Sequence, residues 1–439
     1  MPSPKPISFE PRYEPESRPY ACCEMMVGMN SGYNYRFQLD FKSVDAMANI
    51  KPGSGCNLLG YYMYRGGTTP TGETIPYLNE GQMPQLSYDL QAAVGEYGQI
   101  RRSWHRLRLL HYFCQSFGEQ LCRTKTVLPR EAADMEPADT EHLRYSVWVS
   151  GDSGFVFLNN FQDHFDLPDR KNESILLQLP EGDLQMEGID LASGENAILP
   201  FNLDMDGAML RYATAQPITK IEKTWFFSAP VGMVPAYYFD AAAVRLDCDT
   251  KDGLPCCLPE AGKTSHFTVH GKQGPLTVVT LNREDSLRFY KLDCDRGEAA
   301  CLSSAPLLWD GKTLKAETVE DTVTVCAYPA GALDGLLRDD GVTSVQPTSV
   351  DLFHGVRLNL RDRLTARVPL TPAQTGPCRY TLDLPEKALR SSKTMLLRVQ
   401  YSGDIGHAFI DGQMIAGNFA NGAVWDIRVD DHAGELDAA

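Results

Sequence analysis

Three groups of side chains in this sequence are of a type and spacing that could do chemistry. Glu24 is the lone acid in an apolar stretch, residues 18–26, that reads Arg-Pro-Tyr-Ala-Cys-Cys-Glu-Met-Met. A carboxylate in such surroundings is costly unless it is paired or functional. It is either satisfied by Arg18 or Arg36, or aimed out of a strand end, where α/β folds gather their reactive groups. The second group is Tyr61, Tyr62, Tyr64, Arg65, Gly66 and Gly67. Tyrosine faces stack on the apolar face of a sugar ring, while phenol and guanidinium groups donate to its oxygens. The glycine pair lets the backbone turn sharply beside a ligand, and core tyrosines are the equally good alternative. The third group is the cysteines. Leu-Asp-Cys-Asp occurs at residues 246–249 and again at 292–295, followed by Cys256 and Cys257 and by Cys301. Zinc needs four converging ligands and the Cys-x-x-Cys spacing is absent, so two similar hairpins with free thiols are expected, and no metal. Asp204, Asp206 and Gly207 match only a fragment of a calcium loop. No phosphate-loop, dinucleotide, nucleophile-elbow or zincin motif occurs, and no cofactor is expected.

The elements that must position these groups follow from patterning. The first 20 residues hold six prolines and make an extended arm. Residues 18–26 and 56–64 are near-continuous apolar runs that suit buried strands. Between them Asp40 caps a helix over residues 41–50, ended by Pro52 and Gly53. Strand, helix, strand with apolar strands predicts a parallel sheet covered on both faces. Residues 65–85 form a long Gly/Pro/Thr-rich loop of the kind that is usually functional or disordered. Trp104, Leu107, His111, Cys114, Phe117 and Leu121 lie on one stripe of a helix over residues 103–121. Residues 125–141 read as a linker. From about residue 143 short alternating strands recur, for example 144–150, 154–159, 174–179, 276–281, 322–326 and 396–401. Turn signals between them predict antiparallel sandwiches or jelly rolls.

Composition narrows the class. The 439 residues are 43% hydrophobic and 22% charged, an ordinary globular balance. The 41 basic against 57 acidic residues give a net charge of −16. That argues against nucleic-acid binding and against docking on anionic membranes. No stretch approaches the roughly 20 apolar residues of a membrane span, and the amino terminus lacks a secretory apolar region. Twelve cysteines without such a signal predict reduced thiols and a cytoplasmic location.

Several strings resemble one family, the retaining β-galactosidases of glycoside hydrolase family 35. Gly60-Tyr-Tyr-Met-Tyr-Arg-Gly-Gly-Thr68 is similar to that family's strand-eight signature, and Ser87-Tyr-Asp-Leu-Gln-Ala-Ala-Val-Gly-Glu-Tyr-Gly98 to its Ser-Tyr-Asp segment. Gly154-Phe-Val-Phe-Leu-Asn-Asn160, Leu199-Pro-Phe-Asn202, Tyr212-Ala-Thr-Ala-Gln-Pro217, Tyr401-Ser-Gly-Asp404 and Asn418-Phe-Ala-Asn-Gly422 resemble its β-domain strings. The resemblance implies an α/β plus all-β chain: a C-terminal fragment of a (β/α)8 barrel followed by antiparallel β-sandwich and jelly-roll domains. The implied boundaries are 1–125 for the partial barrel with strands seven and eight, 126–225 and 226–345 for β domains, and 346–439 for a jelly-roll-like sandwich. It implies Glu24 as nucleophile and Tyr64, Arg65 and Tyr88 as substrate-binding residues, with a β-galactoside or oligosaccharide as substrate.

A retaining glycosidase also needs an acid about 5–5.5 Å from its nucleophile. The family carries it upstream in an Asn-Glu-Tyr context, and this chain has only Glu10, Glu14 and Glu16 before Glu24. Asn79-Glu80-Gly81 echoes that motif but follows the strand-eight string. The acid/base is therefore expected outside this chain, which reads as a truncated product, as one half of a split enzyme that pairs with an N-terminal barrel half, or as a β-rich protein retaining a relic of the barrel. Thr69 and Leu90 depart from the family pattern and loosen the expectation of galactose. The competing expectation is a non-catalytic carbohydrate-binding or scaffolding β-protein, with Trp148, Phe161, Phe165 and Trp425 as aromatic candidates.

Overall fold

A computed structural model describes residues 14, 17–70, 72–74, 79–80, 83–84, 86–242, 244–245, 249–251, 253–294, 297–335, 342–360, 368–384 and 394–432. The chain is dominated by strands, 48% against 13% helix, with three α-helices among the described residues. Its contacts gather into two compact units. The first comprises Met1–Met25, Lys42–Tyr62 and Leu107–Leu287, the second Met26–Phe41, Met63–Arg106 and Arg288–Ala439.

The first unit is built on an antiparallel eight-stranded sheet. In spatial order its strands are Asp249–Lys251, Leu254–Cys257, Tyr237–Phe239, Ala208–Ala213, Asn196–Met205, Ser153–Asn159, Arg144–Ser150 and Lys125–Val127. Its interior strand Ser153–Asn159 is apolar from Gly154 to Leu158 because both of its faces are covered. Val156 and Leu158 pack with Ile175, Leu177, Met186 and Ile189 of the hairpin Arg170–Leu177/Leu184–Leu191. Phe155 and Phe157 point the other way, onto Phe113 of helix α2 (Arg102–Leu121), with ring centroids 5.0 and 6.1 Å apart. Full burial of side chains of this size contributes about 1.5–3 kcal/mol each. A second, mixed five-stranded sheet runs Gln216–Ile221, Thr224–Ser228, Gly274–Leu281, Ser265–Gly271 and Val244–Arg245, with Thr224–Ser228 and Gly274–Leu281 parallel.

The second unit holds an antiparallel five-stranded sheet in the order Phe289–Cys294, Gly297–Ser303, Thr322–Tyr328, Phe353–Leu360 and Val342–Val350. Around it are two-stranded pairs, among them Leu396–Val399 with Trp425–Arg428 and Ile405–Ile410 with Gln413–Phe419.

The barrel-fragment expectation is overturned. Among the described residues the strands Tyr20–Met26 and Cys56–Tyr62 pair only with each other, in a two-stranded sheet. A barrel strand has a neighbour on each side and both faces covered. Here Cys22 and Met25 are buried while Tyr20, Cys23, Glu24 and Met26 are exposed, so the apolar run marks a half-covered strand. Helix α1 (Phe41–Gly53) does lie between the two strands, three residues longer than the expected 41–50. Its end is set by contact with the eight-stranded sheet. A Cβ at Gly53 would stand 2.8 Å from Ser146 Oγ, and the chain leaves the helix through Gly55 at φ +90°. Asn49 Nδ2 donates to Leu158 O at 2.8 Å from the same helix.

The linker expected at 125–141 instead starts as the edge strand Lys125–Val127, followed by the single 3-10 turn Arg130–Ala133. No helix among the described residues is long and apolar enough to cross a membrane.

Candidate functional site

Within the second unit, residues 64–69 pair with residues 86–94, parts of the two strings that carry the strongest resemblance. Val94 N donates to Tyr64 O at 3.0 Å and Gly66 N to Val94 O at 2.8 Å, a parallel bridge centred on Arg65. The strand Gly67–Thr68 then pairs antiparallel with Ser87–Tyr88, placing Gly67 opposite Tyr88. Thr69 N extends the pairing to Leu86 O at 2.7 Å. Backbone approach this close demands glycine: a Cβ at Gly66 would stand 2.8 Å from both Cα and O of Asp89.

Two carboxylates hold this knot together. Glu96 Oε1 accepts from Thr68 Oγ1 at 2.5 Å and Oε2 from Ser87 Oγ at 2.6 Å. Asp89 Oδ1 accepts the Glu96 backbone N–H at 2.7 Å. Its Oδ2 accepts from Gln91 N at 3.1 Å and from Arg101 Nη2 at 2.7 Å. Arg101 also donates Nη1 to Ala92 O at 2.7 Å, so one guanidinium ties a carboxylate to the turn beside it. Desolvation holds the Glu96 carboxyl above the usual range of a glutamate, against the pull of the Ser87 and Thr68 hydroxyls. The Tyr97 phenol is pushed up by burial and by the neighbouring Glu96 charge. Met63, Leu90 and Gln91 sit at φ 61°, 49° and 54°, a left-handed backbone that non-glycine residues adopt at a cost.

The expected substrate-binding residues Tyr64, Arg65 and Tyr88 are thus brought together by one network, Arg65 exposed and both tyrosines half-buried. Glu24 lies in the first unit, exposed on the strand Tyr20–Met26, its backbone oxygen accepting from Cys22 Sγ at 3.5 Å. Sequence reasoning assigned no role to Asp89, Glu96 or Arg101. The signal was available, since the two acids stand inside the quoted 87–98 string, where loop acids flanked by Ser, Thr and Arg are natural cross-links.

Several of the remaining candidates have structural partners. The Asp204–Gly207 segment is a hairpin turn: Gly207 N donates to Asp204 Oδ1, and Asp206 takes Lys220 Nζ at 2.5 Å and Trp225 Nε1 at 3.1 Å. Cys256 is buried in the first unit's core, while Cys294 and Cys301 share a core in the second unit. Residues 246–248, 295–296 and Gly81 lie outside the described residues, as do Glu10 and Glu16. Among the described residues no group of three or more His, Cys, Asp or Glu side chains is placed to hold a metal ion. Trp148 is a core residue tilted against Phe157, Trp425 packs on Tyr401, and Phe165 is exposed. No family model matches the chain, and no curated protein matches it.

Proposed function

We propose that the chain acts on carbohydrate as a retaining glycoside hydrolase of β-galactosidase type. The resemblance makes Glu24 the nucleophile, and makes Tyr64, Arg65 and Tyr88 the residues that bind the terminal β-galactosyl residue. The observation that carries this reading is the folding of the 60–68 and 87–98 strings into one another. Tyr64, Arg65 and Tyr88, which the resemblance gives to substrate binding, stand close together on that pairing. Aromatic faces and an exposed guanidinium on a pre-formed scaffold suit a polyhydroxylated ring.

In the reaction a Glu24 carboxylate oxygen bonds to the anomeric carbon as the bond to the leaving oxygen breaks, and water then hydrolyses the glycosyl ester. A natural leaving group takes a proton from a second carboxyl, a role assigned to no residue of this chain. An aryl leaving group as acidic as dinitrophenol departs without that proton. Asp89 and Glu96 are spent on internal contacts and act as the frame of the surface.

The second reading is a carbohydrate-binding protein without catalysis, favoured by the exposure of Glu24 on a two-stranded sheet. The two are separated by release of dinitrophenolate from a dinitrophenyl β-galactoside by the purified chain. Turnover that vanishes in Glu24→Gln supports the hydrolase. Galactoside binding with no turnover, unchanged by Glu24→Gln, supports the binding protein.

A further inference from the structure

Nine residues after Glu24 the chain makes a tight turn that no role has yet absorbed. Gly32 and Tyr35 exchange backbone hydrogen bonds of 2.9 and 3.3 Å, presenting Tyr33 and Tyr35 at 53% and 59% exposure. Rings this exposed gain little from packing, yet the turn is firmly anchored in the second unit. Arg36 donates Nη2 to Asp404 Oδ1 at 2.6 Å and lies 4.4 Å over the Phe419 ring, which meets Tyr33 edge-on at 5.1 Å. Tyr35 meets Phe37 edge-on at 5.4 Å. The Phe37 carbonyl accepts from Asn421 Nδ2 at 3.0 Å and from Gln91 Nε2 at 3.2 Å, and Gln91 also holds Met29 O and Leu39 N. At the base of the turn the Asn30 Nδ2 and Ser31 Oγ atoms are buried with no hydrogen-bond partner among the described residues. Unsatisfied groups of this kind are unfavourable.

We propose that Tyr33 and Tyr35 form a sugar-binding platform for a neutral β-linked oligosaccharide, extending recognition beyond a single terminal residue. The choice of occupant follows from the surroundings. Two phenols flanked by amides offer flat faces with polar rims, the complement of a pyranose, whose C–H face is apolar and whose edge is hydroxylated. Nucleic-acid bases also stack on tyrosine, but they bring phosphates that need free cations. Here Arg36 is paired with Asp404 and the chain carries a net charge of −16. The platform stands on this geometry, while the galactosyl identity of its ligand rests on the function proposed above.

The test is calorimetric titration of the purified chain with β-1,4-galactotetraose and, separately, cellotetraose. Binding of galactotetraose is expected, weakened about tenfold in Tyr33→Ala and in Tyr35→Ala and kept within about threefold in the Tyr→Phe variants, because the ring face does the work. Tyr380→Ala, which removes an equally exposed ring elsewhere, leaves the affinity unchanged. Binding of cellotetraose alone, with the same dependence on the two tyrosines, supports the platform and overturns its galactosyl identity. Wild-type affinity for the bound sugar in both alanine variants, or no oligosaccharide binding by the folded chain, overturns the platform. Titration reads binding whether or not the chain turns over substrate, so failure of hydrolysis and failure of the platform are read separately.

Discussion

Glu96 shows how a single residue can be more informative than its charge. It takes both hydroxyls that cross-link the 60–68 and 87–98 segments while losing much of its own hydration. A carboxyl whose folded pKa lies above its unfolded value binds its proton more tightly in the native state. Its contribution is therefore most favourable below the ordinary value of 4.5 and is lost as pH rises through the raised folded pKa. Replacing it by Gln removes that pH-dependent cost. The melting temperature of Glu96→Gln relative to wild type is expected to move in the variant's favour between pH 4 and pH 7, measured by calorimetry. A difference that is flat with pH would mean the carboxyl is not desolvated. Gly66 presents the opposite limit, a position where nothing can be added. Gly66→Ala forces a methyl group into the Asp89 backbone and is expected to cost about 1–3 kcal/mol in urea unfolding.

At the scale of elements, what covers a segment decides how well its sequence announces it. The helix expected at 103–121 is observed as α2, Arg102–Leu121, because a long amphipathic stripe imprints a strong period. Phe113 was not among the named stripe residues, yet it is fully buried between Phe117, Phe155 and Phe157. Phe113→Ala is accordingly expected to cost about 3–5 kcal/mol, read from urea unfolding by circular dichroism. A change under about 1 kcal/mol would contradict the packing of α2 on the eight-stranded sheet. Short apolar runs were less legible. Residues 154–158 are apolar because a helix and a hairpin cover the two faces of their strand, although its neighbours are antiparallel. Tyr20–Met26 has the same look but, among the described residues, one paired neighbour and an exposed face, so apolarity alone could not tell a barrel strand from a two-stranded sheet. The site strings were legible as types, Tyr64, Arg65 and Tyr88, but their cross-links depend on contacts between segments some 20–30 residues apart that no local period encodes.

On the scale of the whole molecule, each compact unit draws on three separate stretches of chain. Composition along a sequence carries no record of such interleaving. The thiols give a global check on the described fold. Cys23, Cys122 and Cys378 are exposed, whereas Cys22, Cys56, Cys256, Cys294, Cys301 and Cys326 are buried. Burial also raises the Cys301 thiol, leaving less of the reactive thiolate. Brief alkylation of the native chain followed by peptide mapping is expected to mark the three exposed thiols well before the six buried ones. Equal labelling of Cys294 and Cys301 would contradict the core of the second unit.

The central claim, that Glu24 is the nucleophile of a retaining β-galactosidase-type hydrolase, is tested most directly by trapping its glycosyl ester. Incubation with dinitrophenyl 2-deoxy-2-fluoro-β-galactoside needs no acid catalyst for the leaving group and slows hydrolysis of the ester. The account predicts one fluorogalactosyl group per chain by intact mass, mapped to the peptide containing Glu24 and absent from Glu24→Gln. A folded chain that takes no label, or carries it on another residue, would contradict the claim.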